Sequence, residues 1–426
     1  MGKVKQIRDV IYGFIELDEQ EQAIVNHPVF QRLRHIRQLA FTEMVYPGAC
    51  HTRFEHSLGV MQMATNMYDH IMDHFADKIK GYFSFNDSQF SREKSFFRKV
   101  VRLAALLHDI GHAPFSHVGE DLMPMNQSSG KPFKHEDYSI AAIKYFFKDI
   151  IEDSQLANRF SIKVTDVTTL IDEKEAALYG QSIHLFFRQI ISSQLDADRA
   201  DYLLRDSLHI GVSYGHYDLP RLVNCLSVVK KESSYEDEQS GLFLAIDVKG
   251  LYVAESLVIA RYQMFNQVYF HKVRRIYDYH IAEALKEIFP LIGHESKMFP
   301  PPDSEAAIIS YMKMDDWSVL GAIHSNQEGE HCRRIRERCH YKRVFTTQDP
   351  PNDSDYNQIA ELEKKHPVHY VDQSARTSWY KPDKQIWIMD GEKVTTLQAQ
   401  SPFIKGILTE PARIVFYTVG DCESRR

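Results

Sequence analysis

The sequence predicts a mainly α-helical protein with one small β-hairpin and a C-terminal α+β module. Three observations carry that reading. Apolar residues recur at helical spacing through most of the first 290 residues, as in Phe30, Leu33, Ile36, Leu39 and Ala40. The stretch holding Val100, Val101, Leu103, Ala104, Leu106 and Leu107 is apolar on nearly every side, the composition of a helix buried all round. A Pro-rich break from Phe289-Pro290 to Pro300-Pro301-Pro302 then sets off a more strand-rich tail, which divides the chain into residues 1–290 and 291–426.

Taken in order, Asp18 to Val25 and Val29 to Ala40 are expected as helices, Tyr46-Pro47-Gly48-Ala49 as a turn, and Phe54 to Met67 as a helix. The polar run Phe83 to Ser95 reads as a loop, and so does Met123 to Lys134 with its Pro, Gly and Ser. His135-Glu136-Asp137 opens a helix through Phe147, and Asp196 to Leu208 forms another amphipathic one. Leu226 to Val229 and Leu242 to Asp247 flank a charged connection and predict a hairpin, followed by a long helical stretch from Leu251 to Leu285. In the tail, Ser304 to Met314, Asp315 to Ser325 and Gly329 to Cys339 are helical in pattern, and Val368 to Val371, Ile386 to Met389 and Ile414 to Val419 are strand-like.

With 426 residues there is ample chain for a large core, and a net charge of -7 argues against a general nucleic-acid or membrane-surface binder. No apolar run reaches the roughly 18 residues of a membrane span, and no signal-peptide pattern follows Met1. Five scattered cysteines (Cys50, Cys225, Cys332, Cys339, Cys422) predict reduced thiols and a cytoplasmic protein. His331-Cys332 and Cys339-His340 lack CxxC spacing, so no zinc site is expected there.

The chemistry centres on His108-Asp109-Ile110-Gly111-His112-Ala113-Pro114-Phe115-Ser116-His117. A buried helix that ends in His-Asp must pair those groups, because burying them alone costs several kcal/mol. Imidazole and carboxylate are both metal ligands, and Gly111 and Pro114 stop the helix so that His112 and His117 fall in a loop beside the ion. Adjacent helical residues point about 100° apart, so other helices must complete the site. His56 and Asp198 are the candidates. Asp198, Tyr202 and Asp206 are spaced i, i+4, i+8 and share one helix face. Two imidazoles and two carboxylates suit an open Mn, Mg, Fe or Co site, which permits activation of water for attack on phosphorus.

His56, His108-Asp109 and Asp198 match the H…HD…D pattern of the HD metallophosphohydrolases. Longer motifs narrow the likeness: Phe30-Gln31-Arg32-Leu33-Arg34, Arg53-Phe54-Glu55-His56-Ser57-Leu58-Gly59-Val60, His108 to His117, Asp198-Arg199-Ala200-Asp201-Tyr202 and Tyr269-Phe270-His271-Lys272. These resemble the deoxynucleoside triphosphate triphosphohydrolases, in the branch of the sterile-alpha-motif-and-HD-domain enzyme and its bacterial dGTPase-type relatives, over roughly residues 7 to 345. The sterile alpha motif itself has no counterpart in these residues.

The resemblance implies metal ligation by His56, His108, Asp109 and Asp198, and places His112, His117, His135 and Glu136 around the α-phosphate, with His117 as proton donor. It implies phosphate contacts from Arg53, Arg199, Arg261 and Lys272, and sugar contacts from Gln38, Tyr202, Asp206 and Tyr269. It also implies a homo-oligomer, dimer or tetramer, a dNTP substrate and a nucleotide effector. Two positions depart from the effector-sensing pattern: Asn26 replaces an acidic residue and Gln267 a basic one. Arg199 stands where lysine is usual, which permits bidentate phosphate contact. The competing readings are another HD activity, such as a nuclease, phosphodiesterase or nucleotidase, and a nucleotide-sensing protein with weak catalysis.

Overall fold

The Arg53–His74 and Asp87–Leu107 helices pack along one another and form the spine of the molecule. The computed structural model describes residues 5–153, 155, 160–231, 241–293, 296–373, 385–407 and 413–420. Helices Val164–Ile171, Ser182–Ile191 and Ala197–Ile210 complete the bundle around a continuous apolar core. As the composition requires, Val100, Val101 and Leu103 to Leu107 are all fully buried. Arg102 on the same helix is also buried. Its guanidinium donates to both Glu21 oxygens at 2.7 Å, to Thr65 Oγ1 at 2.8 Å and to Glu16 O at 2.8 Å. One side chain therefore ties the N-terminal hairpin (Lys5–Asp9 with Gly13–Leu17) and the Glu19–Asn26 helix to the spine.

The expected hairpin is present as Leu226–Lys231 paired antiparallel with Gly241–Asp247; residues 232–240 of its connection lie outside the described residues. Trp387–Asp390 adds in parallel to Gly241–Asp247 and pairs on its other side with Lys393–Thr396. Past residue 300, the helices Glu305–Met312, Asp316–Ser325 and Glu330–Arg336 bury Ile308, Val319, Ile323 and Ile335 in the main core. Lys342–Thr346, Val415–Thr418 and His369–Asp372 form a separate antiparallel sheet with the helix Asp353–Lys365 against it.

Four local expectations are corrected. Phe83 to Ser95 is not a loop: Asn86 caps a helix that begins at Asp87, and its first turns are polar because they face solvent. Val29 to Ala40 is not one helix. A short helix Pro28–Gln31 and a 3₁₀ turn Arg32–His35 give way to extended backbone that pairs with the chain before Arg53, through Arg53 N to Ile36 O and Gln38 N to His51 O. Leu251 to Leu285 is broken by a π-turn at Phe265–Tyr269, after which His271 caps a second helix, Lys272–Ile288. Finally, Cys50, Cys225 and Cys332 are free thiols but Cys339 is disulfide-bonded, against the expectation of uniformly reduced cysteines; Cys422 lies outside the described residues.

Candidate metal centre and active site

His56 sits one turn into the Arg53–His74 helix, and His108 and Asp109 follow the end of the Asp87–Leu107 helix. Asp198 lies in the first turn of Ala197–Ile210, whose start is capped by Asp196 accepting from Arg199 N at 2.8 Å. These helices converge. His56 Nε2 lies 3.1 Å from Asp198 Oδ1 and 3.5 Å from Asp109 Oδ2, while His108 Nε2 is 3.3 Å from Asp109 Oδ1 and 3.8 Å from Asp198 Oδ1.

The donor set fits a divalent cation on an observation independent of the motif. His108 Nδ1 donates to Ala105 O at 2.8 Å, which leaves its buried Nε2 as an acceptor with no hydrogen-bond partner. His56 Nδ1 donates to Asp201 at 2.8 Å, a contact of the kind that orients metal-ligating imidazoles. Burial opposes a charge on His56, but the Asp198 and Asp201 carboxylates outweigh it and push the imidazole up to about 10. Burial would likewise raise Asp198 and Asp109, yet the histidines around them, and Arg53 beside Asp109, hold both below the usual carboxylate range. The pocket thus presents anionic oxygens beside imidazole nitrogens.

Gly59 makes the Asp201 contact feasible. A Cβ at Gly59 would sit 2.1 Å from Asp201 Oδ1 and 2.2 Å from Arg205 Nη2. Asp201 is held in turn by Arg205 at 2.8 and 2.9 Å, and Arg205 donates onward to Asp9 at 2.9 Å.

Asp109 joins this group to a second one. Its Oδ1 is 3.3 Å from His112 Nε2, and the His112 ring stacks on His135 at 3.9 Å between centroids. His117 Nδ1 and His135 Nδ1 both donate to Glu120 Oε1, each at 2.7 Å. Burial and the neighbouring Arg53 and His135 charges keep His112 neutral, well below the ordinary imidazole range. Burial disfavours a charged His135, but Glu136 and Glu120 push it up to about 9. His112, His117, Glu120 and His135 offer ligand atoms within 4.8 Å of one another, so this cluster could itself hold a cation. Gly111 brings the His135–Ala142 helix close: a Cβ there would meet Ser139 N at 2.1 Å, and Ser139 Oγ bridges Gly111 N and His108 O.

The remaining expected residues divide. Arg53 is buried against Asp109 and donates to Ser116 Oγ at 2.8 Å. Asp206 accepts from Tyr269 OH at 2.6 Å and His51 Nε2 at 2.8 Å, and the Tyr202 and Tyr269 rings lie edge to face at 6.3 Å. The π-turn at Phe265–Tyr269 is what carries Tyr269 to Asp206. Gln38 is buried beside His51 with Oε1 lacking a partner. Arg199 folds back onto Asp196 and Ser193 O, and Arg261 donates to Gln194 at 3.0 Å with its Nε buried and without a hydrogen-bond partner. Burial lowers the Arg261 pKa, with the Arg199 charge adding to it and Tyr202, Asp196 and Asp198 opposing it. Glu136 flanks His135 at 3.4 Å. Lys272 is exposed at the first position of its helix and has no described side-chain contact with these groups. Asn26 and Gln267 are exposed. Sequence reasoning passed over Glu120, Asp201 and His51, although Glu120 stands three residues after His117 and Asp201 three after Asp198.

Residues 53–206 match the HD domain, and residues 217–410 match the HD associated region. An uncharacterized protein of Methanocaldococcus jannaschii is 35% identical over 344 residues, 80% of this chain and 60% of its own length. The uncharacterized protein YwfO of Bacillus subtilis is 30% identical over 79% of this chain and 71% of its own. The Dictyostelium discoideum homolog of the deoxynucleoside triphosphate triphosphohydrolase SAMHD1 is 30% identical over 76% of this chain and 56% of its own. A hypothetical protein from Aquifex aeolicus superposes with a TM-score of 0.74 at 28% identity, covering 98% of this chain and 97% of that one. A chain with this constellation, these matches and this fold belongs to the HD-domain family, and it is similar over most of its length to proteins named as SAMHD1.

Proposed function

We propose that the chain is a phosphohydrolase that converts a deoxynucleoside triphosphate and water to deoxynucleoside and tripolyphosphate. The observation that carries the reading is the sharing of Asp109 between the cation group and the histidine cluster, with Asp206 and Tyr269 reached along the same helix as Asp198. A divalent cation held by His56, His108, Asp109 and Asp198 would supply Lewis-acid charge to a phosphoryl oxygen and activate water.

The chain's own residues do the rest. His117 is assigned as proton donor to the departing 5′ oxygen, with its Nδ1 fixed by Glu120 so that Nε2 serves the substrate. His112, His135 and Glu136 line the α-phosphate. Arg53, Arg199 and Arg261 meet the phosphate oxygens, which requires Arg199 to leave Asp196 and Ser193 for a stronger anion. Lys272 is assigned to the outer phosphates or to a bordering effector pocket. Tyr202 and Tyr269 pack against the sugar, Gln38 borders it, and Asp206 accepts from its 3′ hydroxyl. Asp198 and Asp206 lie two helical turns apart, about 12 Å along the axis, so the phosphorus next to the sugar is the one that reaches the cation.

The active form is proposed as a homo-oligomer in the cytoplasm. Leu178 (71% exposed), Tyr179 (54%) and Leu185 (49%) leave apolar surface on neighbouring helices, and light scattering of the active protein checks the assembly. No helix among the described residues is long and apolar enough to cross a membrane. Phosphorus NMR of the protein with manganese or magnesium and a panel of dNTPs, NTPs and single-stranded DNA tests the function. Tripolyphosphate as first product is expected. Orthophosphate would point to a nucleotidase, cleavage of DNA to a nuclease, and binding without turnover to a sensor. His117→Ala is expected to slow turnover by about 100-fold while sparing cation content.

A further inference from the structure

Phe115 and Ser116 stand between the two loop histidines with φ of 59° and 60°, in the left-handed region that neither side chain favours. Such a pair persists only where its surroundings hold it. Phe115 N donates to Asp316 Oδ1 at 2.7 Å, and Asp316 Oδ2 accepts from Arg37 N at 2.9 Å. Ser116 Oγ donates to Arg37 O at 2.6 Å and accepts from Arg53 Nε at 2.8 Å, so both hydrogen-bonded links of the turn run through the Arg37 backbone. Asp316 is 1% exposed, and the two bonds it accepts here go to backbone N–H groups rather than to side chains of the proposed site.

The same short segment grips the loop twice more. Tyr311 OH donates to Gly111 O at 2.8 Å, and Arg32 links Met314 O at 2.7 Å to His112 O at 2.8 Å. Residues 311–316 thus hold the backbone of 111, 112 and 115 from outside the part of the chain that matches the HD domain, residues 53–206.

We propose that Asp316 is a positioning residue: through the Phe115–Ser116 turn it sets His117 for proton transfer. This rests on the function proposed above. Asp316→Asn keeps the volume but turns one of the two acceptor oxygens into a donor, so one of two facing N–H groups loses its partner.

The test compares Asp316→Asn with the wild-type holoprotein on a dNTP and on bis(p-nitrophenyl) phosphate, whose leaving group departs as a stable phenolate without a proton. On the dNTP, kcat is expected to fall about 30-fold with KM changed by less than about twofold, since a misplaced donor acts on the chemical step. On the nitrophenyl ester the loss is expected to stay under about threefold, because no general acid is needed. Cation content should be unchanged. A crystal structure of the variant should show the Phe115–Ser116 pair out of the left-handed region and the His117 ring displaced. Wild-type kcat, equal losses on both substrates, or an unmoved turn would overturn the proposal. If Asp316→Asn does not fold, Asp316→Ser, which is too short to reach both N–H groups, should give the same pattern; wild-type behaviour of that variant would equally overturn the proposal. A wild type inactive on every dNTP refutes the function, and the crystallographic comparison still decides Asp316.

Discussion

Asp201→Ala tests the proposed cation site without touching a proposed ligand. Asp201 Oδ2 accepts from His56 Nδ1 at 2.8 Å and from Arg205 Nε at 2.8 Å, while Oδ1 accepts from Arg205 Nη2 at 2.9 Å. Asparagine would not serve, because an amide oxygen at the Oδ2 position still accepts from both His56 Nδ1 and Arg205 Nε. Alanine removes both oxygens. His56 loses the partner that aims Nε2 at the cation. Loss of such an outer contact weakens metal binding by about 10- to 100-fold, or about 1.4 to 2.7 kcal/mol. The same change removes charge from a buried pair, which costs about 3 to 5 kcal/mol when no other partner remains. Asp9 at 2.9 Å and Glu55 at 3.7 Å stay beside Arg205, so the loss of folding stability should fall nearer about 2 kcal/mol. Manganese titration of metal-stripped protein reads the affinity, and denaturant unfolding in chelator reads the stability. An affinity within twofold of wild type, in a variant destabilised as expected, would refute the assignment of Asp201 as the residue that orients His56.

Asp109→Asn, which spares the volume beside Arg53, should lower turnover by about 1000-fold or more and release the cation, as checked by elemental analysis of the dialysed protein. Tyr202→Ala should shrink the dATP over ATP preference by about tenfold, read as a ratio of kcat/KM values; an unchanged ratio would remove Tyr202 from the sugar site. Glu21→Gln should cost about 3 kcal/mol at pH 7: burial would raise the Glu21 pKa, but the Arg102 fork and Lys99 bring it down to about 2 from 4.5. A depressed carboxylate contributes stability above its unfolded pKa and loses it as pH falls toward the folded one, so the gap between wild type and Glu21→Gln in denaturant unfolding should narrow steadily below pH 4.5.

What was legible in the sequence shares one property: its cause is local. The helix ending in His108-Asp109 announced itself because a run of buried apolar residues closed on groups that cannot be buried alone. The Leu226–Lys231 and Gly241–Asp247 pairing was legible from two apolar runs around a charged connection. The helix from Asp87 was not, because its first turns face solvent and polarity there carries no periodic signal until Phe96 and Phe97. The break after Gln31 was illegible for a different reason. Its apolar spacing fits a helix well, and only pairing with residues 51–53, unseen until the chain is folded, pulls it straight.

The same distinction orders the candidate site. His56, His108, Asp109 and Asp198 could be named from the H…HD…D pattern, and their side chains converge. The groups that aim them could not: Asp201 looks like one more carboxylate on a polar helix face until Gly59 shows that a neighbouring helix presses close enough to need no Cβ. Glu120 reads as a surface residue until two histidines donate to the same oxygen. Asp316 is the extreme case, almost two hundred positions past the main motif, with its partners two backbone N–H groups of the N-terminal half, those of Phe115 and Arg37. Ligands are constrained by what they bind and so carry recognisable chemistry. The residues that hold ligands in place are constrained only by geometry, which any segment that folds into reach can satisfy. That is why Asp201 and Asp316, rather than the ligands themselves, are where mutation separates a site that is merely present from one that is set for reaction.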